Sequence, residues 1–206
     1  MPSKPHFGRK KQRQRLDCYD NLEGSLAYTW DLLERGARDR RSPMHTPTVA
    51  TVAADGRPSI RTVVLRGCDR TARTLRFHTD RRAAKVQHIL HDPRGAVHLY
   101  DAIEKIQLRL DVRLEPMAAP DRNTVWAGTH PMSRKCYQVT TRPGEHLAHP
   151  TDVTYDAQAT DDGAVHFLPI RVHIERIEWL YLAAVGHRRA EFTWTSEGLR
   201  SRWLVP

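Results

Sequence analysis

SIRTVVLRG, residues Ser59–Gly67, is a β-rich stretch with an arginine near each end. Its valines, isoleucine and leucine are typical of a buried strand, whereas an arginine is costly to bury without a partner. Strict alternation of side chains places Arg61 and Arg66 on opposite faces of such a strand. One bound ligand can therefore meet both arginines only if the strand ends, bends or bulges near Arg66, and the following Gly67 permits this.

Further strands are predicted on both sides of this stretch. The preceding TVATVA is joined to it by ADGR, which is a hairpin signal. From Ile106 to Leu114, apolar residues alternate with polar ones over a long run, which predicts a strand with one buried face. The predicted strands cover residues 48–53, 59–67, 73–80, 94–102, 104–117, 165–182 and 189–196.

Two helices are predicted from apolar spacing. In the first, apolar residues from Leu22 to Leu33 recur at helical intervals, with Asp20 or Asn21 as the N-cap and Gly36 as the end. In the second, Pro93 stops a short helix whose candidate core contacts are Ala84, Ile89 and Leu90.

The remaining segments complete the predicted fold. Residues 120–140 have a helical pattern interrupted at 129–133, and the polar residues 141–163 predict a loop. Many strands and few helices, joined by turns, indicate a mainly β protein with flanking α-helices, arranged as a β-barrel with the helices outside it.

Composition limits the class of protein. The chain has 206 residues, 39% hydrophobic and 28% charged, which suits one soluble domain without a membrane span or a secretory signal. Three widely spaced cysteines indicate a reducing, cytoplasmic compartment. Of the net charge of +9, +6 lies in residues 1–15. We therefore expect a basic flexible tail over 1–15, through which alone nucleic acid could bind, and a single domain over 16–206.

Sequence motifs exclude several chemistries. The nucleotide-binding glycine motifs, the zinc-protease HExxH and the GxSxG nucleophile elbow do not occur. The pair His88 and His91 has no clear third ligand nearby, so no metal site is expected. Cys136 has no histidine partner that the sequence identifies, so a nucleophilic role is not assigned to it.

The strand arginines remain the chief candidates for a binding site. Arg61, Thr79 and Lys85 could converge on a phosphate, because guanidinium, hydroxyl and ammonium groups all donate to phosphate oxygens. Gln107, on the polar side of a long strand, could supply an amide to a heterocycle. The alternative is that these arginines lie on exposed faces and pair with carboxylates or water.

At this point the ordered set of motifs resembles a known family. It is similar to the pyridoxamine 5'-phosphate oxidase family of FMN-binding split barrels. The resemblance runs from about residue 44 to 206 and is weaker between 115 and 165. It is carried by the segments ATVAADGRPSIRTVVLRG, LRFHTDRRAAKV, DPRGAVHLY, IQLRLDVRLE and the closing IEWLYL, GHRRAEF and WLVP.

The resemblance implies an FMN cofactor at a homodimer interface, with roles for individual residues. Trp179 would reach the flavin from the other subunit, and Arg66 would lie near both flavin and substrate. The implied cofactor-binding set is Arg61, Val63, Val64, Leu65, Arg66, His78, Thr79, Lys85, Gln107, Trp179 and Arg189. The implied substrate-binding set is Arg66, His130, Ser133 and Arg188, and the candidates for catalysis are His187 and Arg188.

The sequence also departs from the family pattern. Ala84 stands where a second phosphate-binding arginine is common, and Arg81 or Arg82 could replace it. WAGTHPMS stands where the oxidases carry the Tyr, Arg-Pro and Ser that hold the substrate phosphate, and the closing Arg-x-His is missing. The resemblance therefore supports FMN binding better than it supports a vitamin B6 phosphate as substrate.

Two classes of function follow. The first is an FMN-dependent oxidoreductase that transfers a hydride between flavin and a small molecule, with pyridoxamine or pyridoxine phosphate as one option. The second is an FMN-binding protein without turnover, acting as sensor, carrier or structural dimer. A deazaflavin or a haem could also replace FMN on the same barrel.

Overall fold

The computed structural model describes residues 17–156, 163–184 and 186–206. The predicted basic tail over residues 1–15 lies outside this part of the chain. Among the helices of the described residues, none is long and apolar enough to cross a lipid bilayer.

The described residues form a mainly antiparallel sheet with helices beside it. Its nine strands are β1 (Thr48–Val52), β2 (Pro58–Thr62), β3 (Leu65–Asp69), β4 (Thr74–Asp80), β5 (Arg94–Asp101), β6 (Ile106–Pro116), β7 (Phe167–Tyr181), β8 (Arg188–Thr195) and β9 (Gly198–Leu204). The helices are α1 (Leu22–Arg38), α2 (Ala84–His91), α3 (Asp121–Ala127) and α4 (Pro131–Arg134), with short 3-10 turns that include Asp17–Asp20.

The stretch Ser59–Gly67 is two strands rather than the single strand that its sequence predicts. The strand order is β2-β1-β5-β6-β7-β4-β3, so β2 and β3 lie at opposite ends of this path. They are joined by Val63 and Val64, because β2 ends at Thr62 and β3 begins at Leu65. The two edges of the path are therefore held together by the chain itself, and the sheet must curl to allow it.

An irregularity near Arg66, which the sequence permits through Gly67, is present. Leu65 pairs with Phe77 and Gly67 pairs with Arg76, so Arg66 is the extra residue of a bulge. The bulge and the break between β2 and β3 together remove the strict alternation that would separate the two arginines.

Strands β6 and β7 form the centre of the sheet. The predicted alternation of β6 is confirmed, since its apolar residues from Ile106 to Leu114 are all buried. Strand β7 is long enough to serve two neighbours on one edge. Its first half pairs with β4 and its second half pairs with β8. Strand β9, which extends the sheet beyond β8, was not among the predicted strands.

The first helix begins as predicted but ends later. Asn21 caps it by accepting a hydrogen bond from the backbone N–H of Gly24. Gly36 does not end the helix, which continues to Arg38. A Cβ at Gly36 would lie 2.7 Å from the carbonyl oxygen of Met44, so glycine allows close packing there instead.

The second helix packs through fewer residues than expected. Ile89 is buried in the core together with Val86. Ala84 is exposed and Leu90 is 65% exposed, so neither makes the core contact that its spacing predicts.

Candidate cofactor and substrate site

Arg61 lies beside polar groups of β1 and β2. Its Nη1 donates to Thr51 Oγ1 at 2.8 Å and to the Val49 carbonyl at 3.2 Å, and its Nη2 donates to Ser59 Oγ at 2.7 Å. Thr51 and Ser59 face Arg61 because the antiparallel register of β1 and β2 places Thr51 opposite Ser59. Burial lowers the pKa of the Arg61 guanidinium.

Lys85 approaches the same place from the first turn of α2. Its Nζ donates to Thr79 Oγ1 at 3.0 Å, at the end of β4. Burial lowers the pKa of Lys85, and the positive charge of Arg61 lowers it further. Arg61 and Lys85 are therefore close enough to repel each other, and we call Thr51, Arg61, Thr79 and Lys85 the cation cradle.

The cation cradle lacks a carboxylate. Neither Arg61 nor Lys85 forms an ion pair within the described parts of the chain. Asp80, whose charge acts on Lys85, forms its ion pair with Arg82 at 2.7 Å. Two partly buried cations side by side, with hydroxyls and no acid, make a site that is electrostatically incomplete without an anion.

A cavity of about 410 Å³ lies on the other face of β4, between β3, β4 and the segment from α3 to α4. Because Thr79 and His78 are consecutive on β4, the cradle and the cavity lie on opposite faces of the same strand end. We call this the outer cavity. Its walls are formed by Ala37, Arg66, Arg76, His78, Thr124, Val125, Gly128, Thr129, His130 and Ser133.

The structure brings together most of the residues expected at the substrate. Arg66, His130 and Ser133 all line the outer cavity, as does His78. His78 is held neutral, because burial and the positive charges of Arg76 and Arg66 lower its pKa to about 3. Its Nε2 is buried without a hydrogen-bond partner in the described residues.

Arg188 and His187 do not join this group. Arg188 donates from Nε to Asp20 at 2.8 Å, and His187 Nδ1 accepts a hydrogen bond from the backbone N–H of Ala183 at 3.1 Å. Neither residue lines the outer cavity. In this structure the two candidates for catalysis are therefore engaged elsewhere in the chain.

The remaining cofactor candidates lie on β6, β7 and β8. Gln107 and Arg189 both pair with Leu180, so they share one face of the sheet. Trp179 points to the opposite face, is fully buried, and packs against Tyr19 with ring centroids 5.5 Å apart. Trp179 Nε1 and Arg189 Nε are both buried without a partner among the described residues.

The link between β2 and β3 has a mixed character. The side chains of Val63 and Leu65 are buried in the core, whereas Val64 is only half-buried. A ring placed against this link would therefore meet the backbone of Val63 and Leu65 rather than their side chains.

Sequence reasoning missed three residues that shape the site. Thr51 and Arg76 lie in predicted strands, where their sequence context does not distinguish them from other polar residues. Their neighbours become visible only from the pairing of the strands. Arg134 donates to the carbonyls of Thr129 and Trp126, each at 2.9 Å, and so fixes the turn between α3 and α4. The sequence signal for Arg134 is a cation shortly after the end of a helix, where free carbonyls collect.

Comparisons with known proteins point to one family. The family described as "Pyridoxamine 5'-phosphate oxidase, FMN-binding domain" matches residues 28–116. A pyridoxine/pyridoxamine 5'-phosphate oxidase of Alkalilimnicola ehrlichii is 30% identical over 195 residues, which is 90% of this chain and 98% of that protein. Pyridoxine/pyridoxamine 5'-phosphate oxidase 2 of Arabidopsis thaliana is 24% identical over 193 residues, 84% of this chain and 98% of that protein.

Solved structures show the same fold. A pyridoxamine 5'-phosphate oxidase-related, FMN-binding protein of Nostoc punctiforme has a TM-score of 0.70 at 22% identity, covering 90% of this chain and 97% of that one. PhzG of Burkholderia lata has a TM-score of 0.70 at 19% identity, covering 94% and 98%.

This mainly β chain, in which Arg61 and Lys85 lack an anionic partner among the described residues, thus matches a family with an FMN-binding domain. The chain belongs to the pyridoxamine 5'-phosphate oxidase family, and its cofactor is FMN. The residues present fit this group, because the cation cradle offers two cations and two hydroxyls to a phosphate.

Proposed function

We propose that this protein is an FMN-dependent oxidoreductase whose cation cradle binds the FMN phosphate. The observation that carries the proposal is the pair Arg61 and Lys85, both partly buried and neither paired with a carboxylate in the described residues. A dianionic phosphate would relieve their repulsion and complete their hydrogen bonding. When bound, FMN supplies hydride transfer at its ring, and the protein supplies position and charge.

The chain's own residues divide the work. Arg61, Lys85 and Thr79 hold the phosphate, and the link through Val63 and Val64 lies where the ring would rest. Arg66, His130 and Ser133 receive the substrate in the outer cavity. His78 stays neutral there and adds no third positive charge near pH 7.

The proposal includes a split β-barrel that pairs as a homodimer with FMN at the interface. The curl imposed on the path from β2 to β3 supports the barrel. The unpartnered nitrogens of Trp179 and Arg189 support completion by a second subunit. Trp179 can reach a partner's flavin only if the Asp17–Asp20 turn moves off its ring.

One hydrophobic cluster from Tyr19 to Phe192 supports a single domain over 16–206, and a cytoplasmic location stays a prediction from the cysteines.

The substrate of the named relatives, pyridoxine or pyridoxamine 5'-phosphate, is one option for this chain. FMN binding without turnover is the second candidate function. It is favoured by the engagement of Arg188 with Asp20 and of His187 with Ala183, which leaves the catalytic candidates outside the cavity. Anaerobic addition of candidate donors separates the two, since only an oxidoreductase lets a donor bleach its flavin absorption.

The first experiment measures the visible absorption of the purified protein before and after adding excess FMN and desalting. We expect retained flavin bands in the wild type and their loss in Arg61→Ala, with about thirtyfold weaker binding from some 2 kcal/mol of lost charged hydrogen bonding. Arg57→Ala, in the same hairpin but paired with Asp55, is the matched control and keeps FMN. A folded Arg61→Ala variant that retains stoichiometric FMN would refute the cradle.

A further inference from the structure

Arg76 has a position that none of the assignments above explains. It lies on β4, where its Nη2 donates to the carbonyl of Arg66 at 3.1 Å. Its guanidinium rests over Gly67, since a Cβ there would lie 3.3 Å from Arg76 Cζ. The absence of a side chain at Gly67 therefore makes the room that the guanidinium occupies.

The donors of Arg76 are largely unused. A guanidinium carries five N–H donors, and the hydrogen bond to Arg66 is the one that the side chain makes within the described residues. Its Nε is buried without a partner there. Burial lowers the pKa of Arg76, and the charge of Arg171 lowers it further.

The neighbour of Arg76 on the next strand is another arginine, which is itself paired with two acidic groups. Arg171, which is paired with Arg76 in the register of β4 and β7, forms ion pairs with Glu115 at 3.3 Å and with Asp121 at 2.8 Å. The walls of the outer cavity, all within the described part of the chain, contain Arg66 and Arg76 but no carboxylate. The outer cavity is thus a second place where two cations stand without an acid, separate from the cation cradle.

We propose that Arg76 is a specificity-determining residue which, together with Arg66, binds an anionic group of the substrate, either a carboxylate or a phosphate monoester. The inference rests on the proposed function, because the substrate is the molecule that lies against the flavin from the outer cavity. A planar guanidinium with unused parallel N–H groups suits both anions. A neutral analogue of the same shape gains nothing from it.

The test compares an anionic probe with its neutral isostere. Calorimetric titration of the FMN-loaded full chain uses benzoate and phenyl phosphate, with benzamide as the uncharged control. We expect the wild type to bind at least one anion about tenfold or more tightly than benzamide, and Arg76→Gln to lose about tenfold of that preference. Arg76→Lys retains part of it. Arg113→Gln, which removes an exposed cation from β6, leaves it unchanged.

The samples used in these titrations also keep the two proposals distinguishable. The visible spectrum of each sample reports FMN retention, which depends on the cradle and stays normal in Arg76→Gln. An anion preference that is absent from the wild type, or unchanged in a folded Arg76→Gln variant, would overturn the role of Arg76 even if FMN is bound. Tighter binding of phenyl phosphate than of benzoate would identify a phosphate monoester, and the reverse a carboxylate.

Discussion

The cation cradle and the arginine cluster of the central sheet use the same residue type in opposite ways. In the cradle, Arg61 and Lys85 share hydroxyl partners and have no ion pair among the described residues. In the cluster, the buried carboxylate of Glu178 is surrounded by cations. It contacts Arg109 at 3.1 Å, Arg189 at 3.0 Å and Arg176 at 3.5 Å.

This difference separates cations that stabilise the fold, in the cluster around Glu178, from cations that are suited to bind a ligand, in the cradle. Burial alone would raise the pKa of Glu178, but the hydrogen bond from Arg189 and the charges of Arg109 and Arg176 together hold the pKa below its usual value. The cations of the cluster are therefore balanced by carboxylates of the same chain. The cradle does not, so its stability depends on what binds there.

Removing the central carboxylate gives the largest expected effect. Glu178→Gln leaves three arginines around a buried neutral amide, and we expect a loss of about 3 kcal/mol in the free energy of unfolding. Denaturant unfolding of the FMN-free protein measures it. Glu175→Gln, at an exposed position on the same strand, is the matched control and changes little. Equal stability of the two variants would mean that the cluster does not hold the fold.

Removing a cradle cation should weaken FMN binding without lowering the stability of the protein. Lys85→Met keeps an extended apolar stem and relieves the repulsion with Arg61, so we expect FMN-free protein at least as stable as the wild type. FMN binding weakens by about 2 kcal/mol, or roughly thirtyfold. Fluorescence titration with FMN, beside a thermal melt of each sample, measures both quantities. Lys135→Met, at an exposed position, serves as the control. A melting temperature that falls as FMN binding weakens would place Lys85 among the structural cations.

The pH dependence of the two regions differs in direction. Because its pKa is lowered, Glu178 stabilises the folded state above its unfolded pKa, and this contribution disappears as the pH falls through the folded pKa, below 4.5. The stability gap between wild type and Glu178→Gln should therefore shrink in acid. The pKa of Lys85 is also lowered, so its charge is lost on the alkaline side, beginning below 10.5. The FMN-affinity gap between wild type and Lys85→Met should shrink there, and a gap that is constant with pH would contradict the assignment.

The contrast between the cradle and the arginine cluster also shows which features could be predicted from the sequence. The alternation of β6 is a local signal, so the central strand was predictable, whereas Gly67 only permitted the irregularity at Arg66. The division of Ser59–Gly67 between two sheet edges depends on pairing with β1 and β4, which no local pattern encodes.

The site shows the same limit. That Arg61 and Lys85 lack an acid while Arg189 has one depends on which strands lie side by side. Arg61 follows the apolar Ile60 and Arg189 precedes the apolar Ala190, and nothing near them in sequence reveals their partners. Arg66, His130 and Ser133 were grouped from the sequence, and all three line the outer cavity. Arg188, which was grouped with them, instead bonds Asp20, a residue remote in the chain.

The rim of the arginine cluster should give the smallest effect. Arg202 bonds Glu191 at 2.7 Å, but its side chain is 69% exposed, whereas Arg176, which bonds the same carboxylate at 3.0 Å, is 25% exposed. Solvent screens the first pair, so we expect Arg202→Gln to cost less than about 1 kcal/mol in unfolding free energy, with little change in FMN binding. Raising the salt concentration should erase even this difference, while the loss in Glu178→Gln persists. If Arg202→Gln proved as damaging as Glu178→Gln, the cluster would be acting through its exposed rim, and the distinction between its buried centre and the cradle would fail.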